Sequence, residues 1–302
     1  MQLDYPVKYL VHHLANIRSM GMAAVRNANP VTRPSRLPAL PVHLEQSVRP
    51  MSDALVNSYV EWSGADTDRY DGEIPPHFCS HFAMPMLANL GSLAPYNLLA
   101  LLNQGLRMEI HQPLPRGQGL HLSGSLMDVS VEPDRVRIHT QVRVSTAARE
   151  MAMVIDSYST VPQGKSKSKK PTSKPADEEA FTTVGRWSAE FHDGLNFAML
   201  TGDFNPIHTW PAVGRRSRFK TLILHGFGQL ARTHECVQNA GYTIAALDVR
   251  WIKPLTLPNA DLAVQVGTKA DFEGWRSLRL MAQDGSLHMV GRFLERSLEQ
   301  RA

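Results

Sequence analysis

Thr201-Gly202-Asp203-Phe204-Asn205-Pro206-Ile207-His208 places an acid, an amide and an imidazole within six residues. In one helix Asp203 and His208 would stand about 140° apart, at roughly 100° per residue, so a single helical face cannot hold both and a loop is required. Asn205-Pro206 supplies the end of that loop, because Asn is a favoured N-cap and Pro a favoured first helical residue. Asp203 is therefore predicted to precede a short helix, with His208 in its first turn. An isolated Asp and His in a turn are most often a capping acid and a surface histidine. The weight of this pair depends on what surrounds it.

Leu224-His225-Gly226 follows and opens a segment in which Phe227, Leu230, Ala231, His234 and Val237 recur at helical spacing. Gly241 closes it, in the left-handed position that favours glycine after a helix. The first N–H groups of a helix have no internal acceptor and carry the positive end of its dipole. A carbonyl oxygen brought to Gly226 would be polarised there, and glycine allows the close approach. His225 is expected to support this turn through a hydrogen bond.

Outward from these motifs, the chain repeats itself. Tyr59–Asp71 (YVEWSGADTDRYD) and Phe197–Thr209 (FAMLTGDFNPIHT) each set a polar turn after an apolar stretch. Each is followed by a long helical segment expected to end at a glycine, Gly105 and Gly241. Next come strands containing a proline, from Arg107 and from Val249, where Pro113 and Pro254 suggest edges or bulges. Alternating segments broken by Gly, Asp-Gly or Pro-Asp then read as antiparallel hairpins. This pattern predicts an α+β chain of two units side by side, each an antiparallel sheet wrapped around a central helix. Between them, residues 163–179 combine Lys, Ser and Pro without apolar periodicity and read as a solvated linker. The expected division is an extension over 1–45, units over 46–162 and 180–302, and that linker.

TGDFNPIH, then LHG opening a long helix, then Val249–Leu255 (VRWIKPL), resembles the MaoC-like family of (R)-specific enoyl thioester hydratases across roughly residues 190 to 260. The resemblance implies a double hot-dog fold, with Asp203 and His208 as the catalytic acid and histidine and Gly226 as the oxyanion-binding residue. Asn205 would brace the loop. A serine common eight residues after the glycine is His234 here. The first half retains acids in SGADTDRYD but lacks the histidine and the His-Gly pair. It would be the degenerate unit that cradles the acyl chain, through its apolar segment from Met84 to Leu102.

The chemistry suits these residue types. Hydration adds a water oxygen at the β carbon and a proton at the α carbon, so a carboxylate and an imidazole must hold one water. Negative charge grows on the thioester oxygen, where one N–H donor is worth about 3 kcal/mol. The alternatives are a hot-dog thioesterase and a non-catalytic acyl-thioester-binding protein. Arg215, Arg216, Arg218 and Lys220 lie between His208 and Gly226. They are either a solvated face or contacts for the phosphates of coenzyme A or for an acidic acyl carrier protein. No cofactor is implied. A metal on Asp203, His208 and His225 is not expected, for want of ligand spacing.

Composition is consistent with this reading. The 302 residues, 33.6 kDa, exceed the usual single domain, and 43% hydrophobic with 20% charged residues is the balance of a globular protein. Two cysteines, Cys79 and Cys236, give neither a disulfide framework nor a zinc pattern, and point to a reducing compartment. A net charge of +4 suits an anionic small molecule or carrier, and the lysines of the linker lack the interleaved aromatics of a nucleic-acid site. No apolar run is long enough to span a membrane. Residues 1–44 hold one acid, Asp4, against five basic residues. A packing helix bearing Leu10, His13, Leu14, Ile17 and Met20 is the expected use of this stretch. Cytoplasmic location is expected, with mitochondrial targeting as the alternative, and oligomeric state is open between monomer and homodimer.

Overall fold

The computed structural model describes residues 5–29, 31–97, 100–163 and 179–296. Most of the predicted linker, residues 164–178, lies outside the described residues. The chain opens with α1 (Tyr9–Ala28), β1 (Val42–Val48), α2 (Asp53–Ser63), β2 (Glu73–Ile74), α3 (Cys79–Phe82) and α4 (Met84–Gly91). Strands β3 (Leu102–Ile110), β4 (Leu114–Pro115), β5 (Leu120–Val131), β6 (Arg135–Thr146) and β7 (Arg149–Pro162) complete the first half. The second half runs β8 (Phe181–Ala189), α5 (Asp193–Thr201), α6 (Pro206–Thr209), α7 (Pro211–Arg216), α8 (Gly226–Asn239) and β9 (Ile244–Trp251). It ends with β10 (Asn259–Ala270), β11 (Trp275–Met281) and β12 (Leu287–Glu295).

Alternation makes the strands. In β6, Val136, Ile138, Thr140, Val142 and Val144 face inward while Arg135, Arg137, His139, Gln141 and Arg143 face outward, which is the two-residue period of a half-buried strand. Inward residues of both halves form one core, where Leu106, Met108, Val142, Leu247, Val249 and Phe293 are fully buried. Burying each such side chain stabilises the fold by roughly 1.5–3 kcal/mol. Helix α4 packs on β5 and β6, and α8 on β8 and β10.

The expectation of two separate wrapped sheets needs correction. Ten strands form one antiparallel sheet in the order β1-β5-β6-β7-β3-β9-β12-β11-β10-β8. The two groups of five are mirror images in strand order, joined where β3 pairs with β9 from Gly105↔Arg250 to Glu109↔Ala246. An unpaired strand edge leaves a row of free N–H and C=O groups. Pairing the two edges with each other satisfies both.

That junction also corrects the reading of Gly105. It lies inside β3, not at a helix end, and a Cβ there would sit 2.4 Å from the Val249 carbonyl oxygen. Glycine is present because two backbones approach closely. The helix of the first half is correspondingly short, α4 ending at Gly91. Pro113 and Pro254 lie just beyond the ends of β3 and β9 and interrupt neither strand. Gly241, by contrast, has φ +94° just after α8, as the sequence indicated.

Helix α1 lies against α4 and α5, and so touches both halves. Tyr9 donates its hydroxyl to the Ala54 carbonyl at 3.0 Å, His13 Nε2 bonds the Met199 carbonyl at 2.8 Å, and Asn16 Nδ2 donates to the His81 carbonyl at 3.0 Å. Leu14, assigned above to the packing face, is 60% exposed instead. The helix is seated by Tyr9, His13 and Asn16, each of which bonds one backbone carbonyl on a neighbouring element.

Candidate active site

The Asp203–His208 segment is built as its residues dictate. Gly202 ends α5 with φ +88°, a conformation open chiefly to glycine. Asn205 caps α6, its Oδ1 accepting the Ile207 N–H at 3.3 Å, and Pro206 is the first helical residue. The Asn205 N–H donates to Asp203 Oδ1 at 3.3 Å, which turns the carboxylate back over the loop.

His208 donates its Nδ1–H to the Ile223 carbonyl at 2.8 Å. A carbonyl can only accept, so the proton resides on Nδ1 and the Nε2 lone pair is left free. His225 donates its Nε2–H to the Asp203 backbone carbonyl at 3.0 Å, and the same nitrogen lies 3.8 Å from Asp203 Oδ2. The two imidazole rings meet face to face, centroids 3.8 Å apart and planes inclined by 31°, with Phe197 backing His225 at 4.7 Å. His225 therefore links Asp203 and His208, and it does so through its ring as well as its hydrogen bond.

Burial pushes the His208 imidazole below its ordinary value, against the opposing pull of the Asp203 charge and the Ile223 bond. Burial pushes His225 well below it, reinforced by the neighbouring His208. Two stacked imidazoles cannot both carry charge without strong repulsion. Both are neutral at pH 7, and a neutral His208 with a free Nε2 can accept a proton.

Gly226 is the first residue of α8 and is half-exposed. Its carbonyl accepts the Trp251 indole N–H at 3.0 Å, while a Cβ on Gly226 would lie 2.7 Å from the Trp251 ring. Among the described residues no acceptor takes the Gly226 N–H. The role of Trp251 in fixing this helix start was not read from the sequence; an indole at the end of strand β9 gave no local signal of its partner.

The basic run occupies the end of α7 and the turn after it. Arg215, Arg216, Arg218 and Lys220 are all exposed, and among the described residues none enters an ion pair. Trp210, between α6 and α7, is 61% exposed beside them.

The first half shows what the same framework becomes without these residues. Gly64 ends α2 with φ +78° as Gly202 ends α5. Counting from these glycines, Ala65 takes the sequence place of Asp203, and no histidine lies between Ala65 and Asp71. The backbone bond from Arg116 N–H to the Gly72 carbonyl matches that from Leu257 N–H to the Leu222 carbonyl. Counting from these, Pro75-Pro76 replaces His225-Gly226. Proline has no N–H, so this half has no donor at the position of Gly226.

Tyr70 serves Glu235, which lies on α8 and is 1% exposed. Glu235 Oε1 accepts from Tyr70 Oη at 2.6 Å, His77 Nε2 at 2.7 Å and His234 Nδ1 at 3.1 Å, while Oε2 accepts from Arg69 Nη1 at 2.5 Å. Burial opposes the charge, but the hydrogen bonds from His234 and His77 outweigh it and hold the carboxyl well below the usual carboxylate range. His77, His234 and Glu235 are close enough to suggest a metal site. The carboxylate is already met by four donors, one of them a guanidinium, so the residues present do not fit a cation. His234, in the place where the resembling family commonly has serine, belongs to this cluster.

The fold and site together define a chain of the double hot-dog class. A Mycobacterium tuberculosis protein described as having a double hotdog fold shares it with a TM-score of 0.54 at 10% identity, over 85% of this chain and 96% of that one. Residues 168–281 match the sequence family described as MaoC like domain, so this part of the chain is a MaoC-like domain. HtdX of Mycobacterium tuberculosis superposes with a TM-score of 0.68 at 17% identity, covering 84% of this chain and 100% of its own. A MaoC-like dehydratase of Phytophthora capsici does so with 0.67 at 13% identity, covering 87% and 98%. At these identities the likeness is one of fold. No curated protein matches the sequence.

Proposed function

We propose that this protein reversibly hydrates a trans-2-enoyl thioester to an (R)-3-hydroxyacyl thioester, with residues 180–302 as the catalytic unit and residues 46–162 as the degenerate one. The observation that carries the reading is the joining of Asp203, His208 and the start of α8 through a single residue, His225. A water held between the Asp203 carboxylate and the free Nε2 of His208 gives a proton to His208 as its oxygen bonds to C3. The electron pair of the C2–C3 double bond moves toward the thioester carbonyl, whose oxygen becomes negative and is met by the Gly226 N–H. C2 then collects the proton from His208, so water is added and both side chains return to their starting state. No cofactor takes part in this scheme.

Asn205 holds the loop and His225 positions Asp203, without contact with the reacting atoms being required of either. The phosphates of the thioester's carrier would meet Arg215, Arg216, Arg218 and Lys220, since exposed guanidinium groups free of ion pairs bind phosphate through paired hydrogen bonds. Crotonyl coenzyme A incubated with the protein should lose its enoyl absorbance and yield the 3-hydroxyacyl thioester. Release of free thiol without hydration would instead identify a thioesterase, and binding without turnover a carrier protein.

A further inference from the structure

A helix seated on a globular body normally turns its polar side to water. Helix α1 does not. Its inward residues Tyr9 and His13 are buried and hydrogen-bonded to both halves, yet its outward side carries Val11 at 69%, Leu14 at 60%, Met22 at 55% and Val25 at 72% exposure. Val7, in the turn before the helix, is 58% exposed and continues the line. Val11 and Met22 are eleven residues apart, as are Leu14 and Val25, and eleven residues make close to three full turns, so these side chains form one straight apolar stripe. Among the described residues, half of the exposed large hydrophobic side chains fall between Val7 and Leu37.

From Tyr5 on, the charges of the segment that carries the stripe have one sign. Residues 5–44 contain no Asp or Glu, while Lys8, Arg18 and Arg36 are exposed there and Arg33 is half-exposed. Arg18 lies eleven residues from Val7, within the stripe itself. No helix among the described residues is long and apolar enough to cross a membrane.

We propose that α1 is a docking face for an anionic lipid bilayer, lying in the plane of the headgroups with Val7, Val11, Leu14, Met22 and Val25 inserted and Lys8, Arg18 and Arg36 at the phosphates. An apolar line with the cations of its own segment beside it is what an interfacial helix needs. A second copy of this chain fits the stripe poorly. From Val11 to Val25 the helix rises about 21 Å and its side is about 10 Å wide, an area near 200 Å², against the roughly 800 Å² per partner of a stable protein pair. Self-pairing would also bring like charges together. A bilayer supplies the opposite charge and imposes no matching outline.

The test is sedimentation of the full chain with vesicles of phosphatidylglycerol mixed equally with phosphatidylcholine, and with phosphatidylcholine alone. The wild-type protein should bind the anionic vesicles, release on adding salt, and ignore the neutral ones. Leu14→Glu combined with Met22→Glu should weaken that binding about tenfold or more, with circular dichroism and thermal midpoint showing the fold retained. Arg215→Ala with Arg216→Ala should leave it unchanged. Absence of wild-type binding would overturn the proposal. So would binding that survives the α1 substitutions but is lost with the two arginines, or a dimer in light scattering that the α1 substitutions dissociate.

Discussion

Replacing Glu235 by alanine tests how the two halves are held together. The carboxylate sits on α8 of the second half and receives Arg69, Tyr70 and His77 from the first, together with His234 beside it. Removing it leaves the Tyr70 hydroxyl and the His77 and His234 N–H groups without an acceptor in a region 0–4% exposed. Each buried donor left unpaired costs about 1–3 kcal/mol. Two effects offset part of this: the Arg69 side chain is 23% exposed and can return to water, and the cost of burying the carboxylate disappears. The expected loss is about 4 kcal/mol, within the 3–5 kcal/mol typical of breaking a buried charged pair. At roughly 2–4 °C per kcal/mol this lowers the melting temperature by about 8–16 °C. Urea titration of wild type and variant at pH 7 measures it directly. The carboxyl is held below its ordinary 4.5, so the wild-type advantage is complete above that pH and declines as pH falls beneath it. A variant within about 1 kcal/mol of wild type would refute the reasoning, because it would mean the buried donors find other acceptors.

Further outcomes follow from the same structure. Asp203→Asn and His208→Ala should each lower kcat by about a hundredfold or more while leaving the fold intact, and their effects should not add, since both side chains hold one water; near-normal turnover in either removes the site. Arg215→Ala with Arg216→Ala should raise KM for a coenzyme A thioester severalfold at low ionic strength with kcat nearly unchanged, the pattern of lost uniform binding. Short thioesters without the coenzyme phosphates should not respond. Burial carries His81 from 6.5 down to about 3, so its contribution is fully present above pH 6.5 and is lost progressively as pH falls toward 3. His81→Gln should flatten the dependence of unfolding free energy on pH between 7.5 and 5.5, and an unchanged slope would show that His81 is charged in the folded state.

The sequence by itself determined the parts whose causes are local. The loop from Asp203 to His208 could be read because Asn205-Pro206 fixes a helix start through its own capping oxygen and its ring, and both features are present. Helix α8 could be read because Phe227, Leu230, Ala231, His234 and Val237 all turn inward along one face, ending at Gly241. The hairpins of both halves announced themselves through alternation and turn residues. Tertiary structure alone decided the joining of β3 to β9, since neither strand's sequence names its neighbour and Gly105 reads equally as a helix end or a close crossing. It also decided that His225 lies between Asp203 and His208, and that Glu235, four-fifths of the chain from the N-terminus, meets Arg69, Tyr70 and His77. Local propensity acts over a few residues, whereas edge pairing and the choice of a buried acceptor are settled by which long-range arrangement leaves the fewest strand edges and buried polar atoms without a partner.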